Sequence, residues 1–207
     1  MRPEPDNRRV ALAATLGGLL LGCLDFIWIK YVPYPVGNLG NSSAVWAVAA
    51  YLFGFWVRSG KLRAAAGAAV ALVVAVPGYY ATAALVQGDD WAVLWATTSL
   101  LWMCFGVLAG VIFGIAGTWT HGAGWRQVVG PALPAAVLFA EAGLEIRRIG
   151  DPSYGNDPIW DALIRIALGL LVLALAGRTN RQRALALVAA LPLALAGLAA
   201  FLIAGFR

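Results

Sequence analysis

Charge is the scarcest commodity in this chain. Of 207 residues only 12% are Asp, Glu, Lys or Arg, about half of what a soluble domain carries. Too few polar groups remain to cover a water-facing surface, so a soluble globular fold is excluded. Histidine occurs once, at His121, and cysteine twice, at Cys23 and Cys104. Both cysteines lie in apolar runs without metal-ligand spacing, which argues against a zinc site or a disulfide framework. No phosphate-binding loop, nucleophile elbow or dinucleotide fingerprint is present. Basic residues are scattered over loops rather than gathered in a stripe, so the net charge of +5 is not a nucleic-acid signal.

What fills the sequence instead is hydrocarbon: 61% hydrophobic residues and a mean hydropathy of +0.79. Apolar runs near the ~20 residues needed to cross a bilayer fall at 10–29, 43–57, 64–86, 91–118, 128–146, 159–177 and 184–205. Breaker-rich connections such as "YPVGNLGN", "RSGKLR" and "IGDPSYGNDP" separate them. The expected fold class is all-α: a polytopic membrane helical bundle of seven spans, with a tail at 1–9 and one domain at 10–205. Lys and Arg set its direction. Ten fall on one side (Arg2, Arg8, Arg9, Arg58, Lys61, Arg63, Arg126, Arg178, Arg181, Arg183) and four on the other (Lys30, Arg147, Arg148, Arg207). That bias predicts a cytoplasmic N-terminus in a bacterial plasma membrane. The start, "RR" and an apolar run closing on "LLGC", has the look of a lipoprotein signal. The run continues past Cys23 to Ile29, which favours a retained span.

Unusual residues concentrate in the outer halves of the spans. Asp25 interrupts an apolar stretch in span 1. Asn41, Ser42, Ser43 and Trp46 open span 2, and Tyr79 and Tyr80 close span 3. Trp91, Trp95, Thr98 and Trp102 recur at helical spacing in span 4. Glu141 and Glu145 share a face of span 5, and Trp160, Asp161 and Arg165 open span 6. An ionisable group in hydrocarbon is a functional candidate by default. Gly18-x-x-x-Gly22 precedes Asp25 on one helix face, so that face is expected to meet other helices. Gly106, Gly110 and Gly114 form a second packing surface. Asp157, Asp161 and Arg165 stand in an i, i+4, i+8 row suited to ion pairing. Trp28, Trp56, Trp91, Trp119 and Trp125 suit an interfacial aromatic belt. His121 reads as a loop residue.

The convergence predicts one cavity. A carboxyl group in an apolar setting favours its neutral form and can donate a proton. Aromatic faces stabilise a cation where water is excluded. Those traits fit protonation-driven cyclisation of an isoprenoid chain, with Asp25 and Glu141 as catalytic acids. Trp46, Tyr80, Trp95, Trp102, Asn41, Glu145, Trp160 and Asp161 are the expected substrate contacts. Neither metal nor cofactor is expected. Asp89-Asp90 is followed by "WAVLW" with no third acid, unlike an aspartate-rich magnesium cluster.

The stretches "GNSSAVWAVAAYLFG", "PGYYATA", "GVIFGIAGTW" and "PAAVLFAEAG" resemble a family of small actinobacterial integral membrane proteins of unknown function. In size, seven-span layout and embedded acids the chain also resembles the membrane-integral terpene cyclases of drimentine-type indole sesquiterpenoid biosynthesis. That likeness implies metal-free protonation of a farnesyl-type lipophilic substrate, with the embedded acids falling on Asp25 and Glu141. Two other readings stay open: a proton-coupled or small-molecule transporter, and a non-catalytic assembly partner that docks through its glycine ladders.

Overall fold

The computed structural model describes residues 4–206, and every described helix except two short 3-10 segments is α-helical. Arg2 and Arg207, two members of the charge tally, lie outside the described residues. Seven α-helices follow one another: α1 (Asn7–Tyr31), α2 (Ser43–Val57), α3 (Lys61–Gln87), α4 (Thr97–Trp119), α5 (Arg126–Ile146), α6 (Asp157–Ala176) and α7 (Asn180–Ile203). The 3-10 segments, Val36–Asn41 and Trp91–Trp95, precede α2 and α4. Helix α1 starts inside the stretch expected as a tail. Asp6 caps it by accepting from the Arg9 amide at 2.7 Å, satisfying one of the free N–H groups of the first turn.

Among the described residues six helices are long and apolar enough to cross a membrane. The exception is α2, whose 15 residues rise only about 22 Å against a hydrocarbon core of ~30 Å. The missing length is supplied by the chain before it. After α1, the backbone turns back into the bundle as the 3-10 segment Val36–Asn41, with Gly37 and Gly40 buried. Irregular backbone is tolerated at such depth only where protein or a cavity surrounds it.

Small residues set the packing. Helix α3 lies between α1 and α4. A Cβ on Gly18 or Gly22 would run into the backbone of Ala71 or Ala75, so α1 reaches α3 only because these positions are glycine. The α4 ladder does the same for α4: Gly110 and Gly114 abut Ala69 and Ala64. In a bilayer, where lipid is as apolar as leucine, such close approach is a main source of helix association. Helices α1 to α4 thus form one packed group. Helix α5 packs on α6 and α7 to form a second, and the two groups meet through α4, α2 and α5.

The fourth expected span divides. Asp90 caps the 3-10 segment by accepting from the Ala92 amide at 2.9 Å, Ala96 is extended, and α4 starts at Thr97. The helical stripe expected through Trp91, Trp95, Thr98 and Trp102 is therefore broken. A 3-10 turn holds three residues rather than 3.6, and the extended residue resets the phase.

Candidate functional site

The C-terminal ends of α1, α3 and α5 and the N-terminal ends of α2, α4 and α6 gather at one end of the bundle. Three cavities lie there or run from it, and Asp25 and Glu141 divide them.

Asp25 is buried, 8% exposed, on the α1 face that carries Gly18 and Gly22. Its Oδ2 accepts from the indole Nε1 of Trp46 at 2.9 Å. That is its one hydrogen bond among the described residues, and no cation pairs with it. Asp25 and Gly40 form a wall common to two cavities. One is an aromatic chamber of about 210 Å³ lined by Trp46, Tyr79, Tyr80, Trp102 and Phe105, with Asn41, Ser42 and Ser43 at its polar edge. The other is an apolar cleft of about 540 Å³ between α1, α2 and α6.

Glu141 sits in a different chemical world, although it is as deeply buried at 7% exposure. Its Oε2 accepts from Ser42 Oγ at 2.5 Å, and its Oε1 accepts from Ser43 Oγ at 2.7 Å and from the Ala44 amide at 2.8 Å. The guanidinium of Arg165, itself 5% exposed, closes the shell with Nε at 3.2 Å from Oε2. The N-terminus of α2 thus points the Ala44 N–H at a carboxylate from α5, where the helix dipole favours negative charge. The Ala44 amide and the Arg165 guanidinium have only hydrogens to offer, and both serine hydroxyls turn theirs toward the carboxylate.

Arg165 links further carboxylates. Its Nη1 lies 3.5 Å from Asp161 Oδ1 and donates to the Asp161 carbonyl at 3.1 Å, and its Nη2 lies 3.8 Å from Glu145. Arg148 pairs with Glu145 at 3.0 Å, and Asn38 donates to Asp161 Oδ2 at 2.9 Å. A third, polar cavity of about 390 Å³ is lined by these groups with Asp157, Tyr154 and Phe206. Just outside, Tyr34 donates to the Asp157 carbonyl at 3.0 Å. Its phenol is pushed up to about 12, by desolvation first and then by the negative charge of Asp157, Asp161 and Glu145.

Trp46, Tyr80, Trp102 and Asn41, expected as substrate contacts, therefore line the aromatic chamber, and Glu145 and Asp161 line the polar cavity. Asn41, Ser43 and Trp102 stand between the two. Trp95 and Trp160 line none of the three; at 75% and 53% exposed they face outward. The single cavity expected around both acids is thus three adjoining ones. Ser42, Ser43 and Tyr79 join the site, and Arg165, expected to pair along α6, also reaches across to α5. The "NSS" at the start of span 2 was the visible signal for the serines, because hydroxyls there mark a helix N-terminus, an end that favours a negative partner.

Fold and site together define a polytopic helical membrane protein with adjoining cavities among its helices. The chain belongs to DUF6518, a family of unknown function, whose model matches residues 1–206. No curated protein and no solved structure matches it. The likeness to a family of unknown function is thus established in its coarse form, while the comparisons lend the terpene-cyclase likeness no support.

Proposed function

We propose that the chamber beside Asp25 takes a lipophilic small molecule and that Asp25 is its proton donor. The chemistry we assign is metal-independent, proton-initiated cyclisation of a prenylated chain. One observation carries the reading: Asp25 is a buried carboxyl with a single indole partner, placed where an apolar cleft meets an aromatic chamber.

Trp46 occupies Oδ2, so Oδ1 is the atom left to hold and deliver the proton. Transfer to an alkene carbon forms a C–H bond, consumes the π bond and leaves a carbocation. The indole N–H then stabilises the carboxylate that remains, since hydrogen bonds to a charged acceptor are the stronger ones. The faces of Trp46, Tyr79, Tyr80 and Trp102 stabilise the cation as rings close. Loss of a proton from the final cation to the Asp25 carboxylate restores the acid, and the net change is an isomerisation. Glu141, surrounded by donors and paired with Arg165, is assigned to holding α2, α5 and α6 together rather than to proton delivery.

The test is expression beside a prenyl-donor pathway with extracted metabolites compared by mass spectrometry. New cyclic isomers should accumulate with the wild-type chain and fall ~10²–10⁴-fold in Asp25→Asn, the usual cost of losing a general acid. Unchanged product in that variant defeats the assignment. The arrangement of two helix groups with cavities along their junction favours a second reading, a proton-coupled carrier. Flux of an unaltered substrate into proteoliposomes, lost in Asp25→Asn, marks that outcome.

A further inference from the structure

The apolar cleft is larger than the chamber it adjoins, and its shape is specific. It follows α2 from Val45 to Phe55, ten residue steps or about 15 Å of helix. Helices α1, α2 and α6 flank it without packing closely on one another. Leu24, Leu52, Leu171 and Leu175 line it and are also exposed. The cleft therefore opens sideways, and at the depth of membrane-spanning helices the medium outside is hydrocarbon. Its polar groups are nearly all engaged elsewhere: Tyr51 OH lies 2.9 Å from Thr120 Oγ1, and Trp28 Nε1 donates to the Val36 carbonyl at 3.0 Å. The exception is Oδ1 of Asp25, because Trp46 holds only Oδ2. Among the described residues no Lys or Arg lines the cleft or the aromatic chamber.

We propose that this cleft is a lateral access route and chain-binding site for an unphosphorylated, uncharged prenyl amphiphile, which lies along α2 with its reactive end at Asp25 and Gly40. This rests on the function proposed above and adds the route and the head-group chemistry. A phosphate or diphosphate head would meet a carboxyl with no cation to offset it, an unfavourable juxtaposition in low dielectric. A bilayer phospholipid is disfavoured for the same reason. A neutral chain meets only apolar walls along the cleft. A volume of about 540 Å³ falls within the ~300–1,000 Å³ of ordinary small-molecule sites.

The experiment is photolabelling of the full chain in phosphatidylcholine vesicles with a diazirine-bearing farnesol analogue, with adducts mapped by mass spectrometry. Adducts are expected on Leu52 and Leu171, at levels above Leu191, an exposed position on α7. Farnesol in about tenfold excess over the probe should cut the cleft adducts ~10-fold by mass action, while farnesyl diphosphate leaves them unchanged. Val48→Trp, and separately Leu171→Trp from the facing wall, should each bring labelling at Leu52 down to the Leu191 level. The competition arm needs no variant, so misfolding of either tryptophan variant leaves the proposal testable. Labelling and competition are read without turnover, so they hold or fail whether or not product forms, which separates the cleft from the proposed chemistry. Uniform labelling without competition, equal protection by farnesyl diphosphate, or stronger protection by farnesylamine than by farnesol overturns the proposal.

Discussion

Asp25 and Glu141 look alike along the chain and unlike in space. Each is an acid in an apolar stretch with no basic residue within a helical turn, and each is more than nine-tenths buried. Yet Glu141 collects three hydrogen bonds and a guanidinium, while Asp25 has one indole and a view of two cavities. An embedded carboxylate with a full set of partners is a fastener between helices. One with a single neutral partner at a cavity wall is available for chemistry. The contrast is the reason for assigning the two acids different work.

It can be broken most forcefully from the fastener's side. Glu141→Ala leaves Arg165 only its longer contacts to Asp161 and Glu145 and strands the Ala44 amide, and removal of one partner of a buried ion pair costs about 3–5 kcal/mol. Thermal unfolding in detergent should therefore show a large loss for Glu141→Ala, and a small one for Asp25→Asn, which strands no cation. A double-mutant cycle of Glu141→Gln with Arg165→Met should return a coupling within ~0.5–3 kcal/mol; additive effects would remove the ion pair from the account. On the other side of the comparison, Trp46→Phe keeps an aromatic face, a smaller one, but deletes the N–H on Asp25 Oδ2. A hydrogen bond to a charged group is worth ~1.5–3 kcal/mol, so product formation should fall about 10–150-fold with little change in unfolding temperature.

The spans themselves were readable from hydropathy and breakers. The second was expected at 43–57 and forms Ser43–Val57, and the packing roles of Gly18, Gly22 and the α4 glycines followed from spacing. Local pattern carries such information because a helix is a local object. It could not show that Ser42 and Ser43 meet Glu141 from almost a hundred residues away, or that Arg165 reaches across from α6 to α5. Those contacts belong to tertiary packing, and without them both acids read as proton donors. The tryptophan stripe failed for a different reason: the Asp90 cap and the extended Ala96 interrupt the helix, a turn-chemistry detail that apolar periodicity overruns.

Smaller effects sharpen the comparison further. Trp95→Leu and Trp160→Leu, at positions that face outward, should change product formation and stability by less than ~0.5 kcal/mol, as surface changes do. A larger effect at either would extend the site beyond the three cavities. His121, outside the spans, offers a pH readout at the opposite end of the bundle. Its Nε2 meets the Phe55 carbonyl at 2.9 Å and its Nδ1 lies 3.5 Å from Arg178. Burial, then the nearby Arg58 and Arg178 charges, hold its pKa below the ordinary 6.5 despite the Phe55 hydrogen bond. The folded state therefore binds fewer protons than the unfolded one below that value. Stability should decline slightly as pH falls through and below 6.5, and His121→Gln should flatten that part of the profile.

The central claim is that one acid reacts and the other fastens. It is tested most directly by product formed per unit of folded protein in wild type, Asp25→Asn and Glu141→Gln, side by side. Asp25→Asn should yield normal amounts of folded protein and almost no product. Glu141→Gln should yield less folded protein, with product per folded molecule close to wild type. Wild-type turnover in Asp25→Asn, or a fully folded but inactive Glu141→Gln, would contradict it.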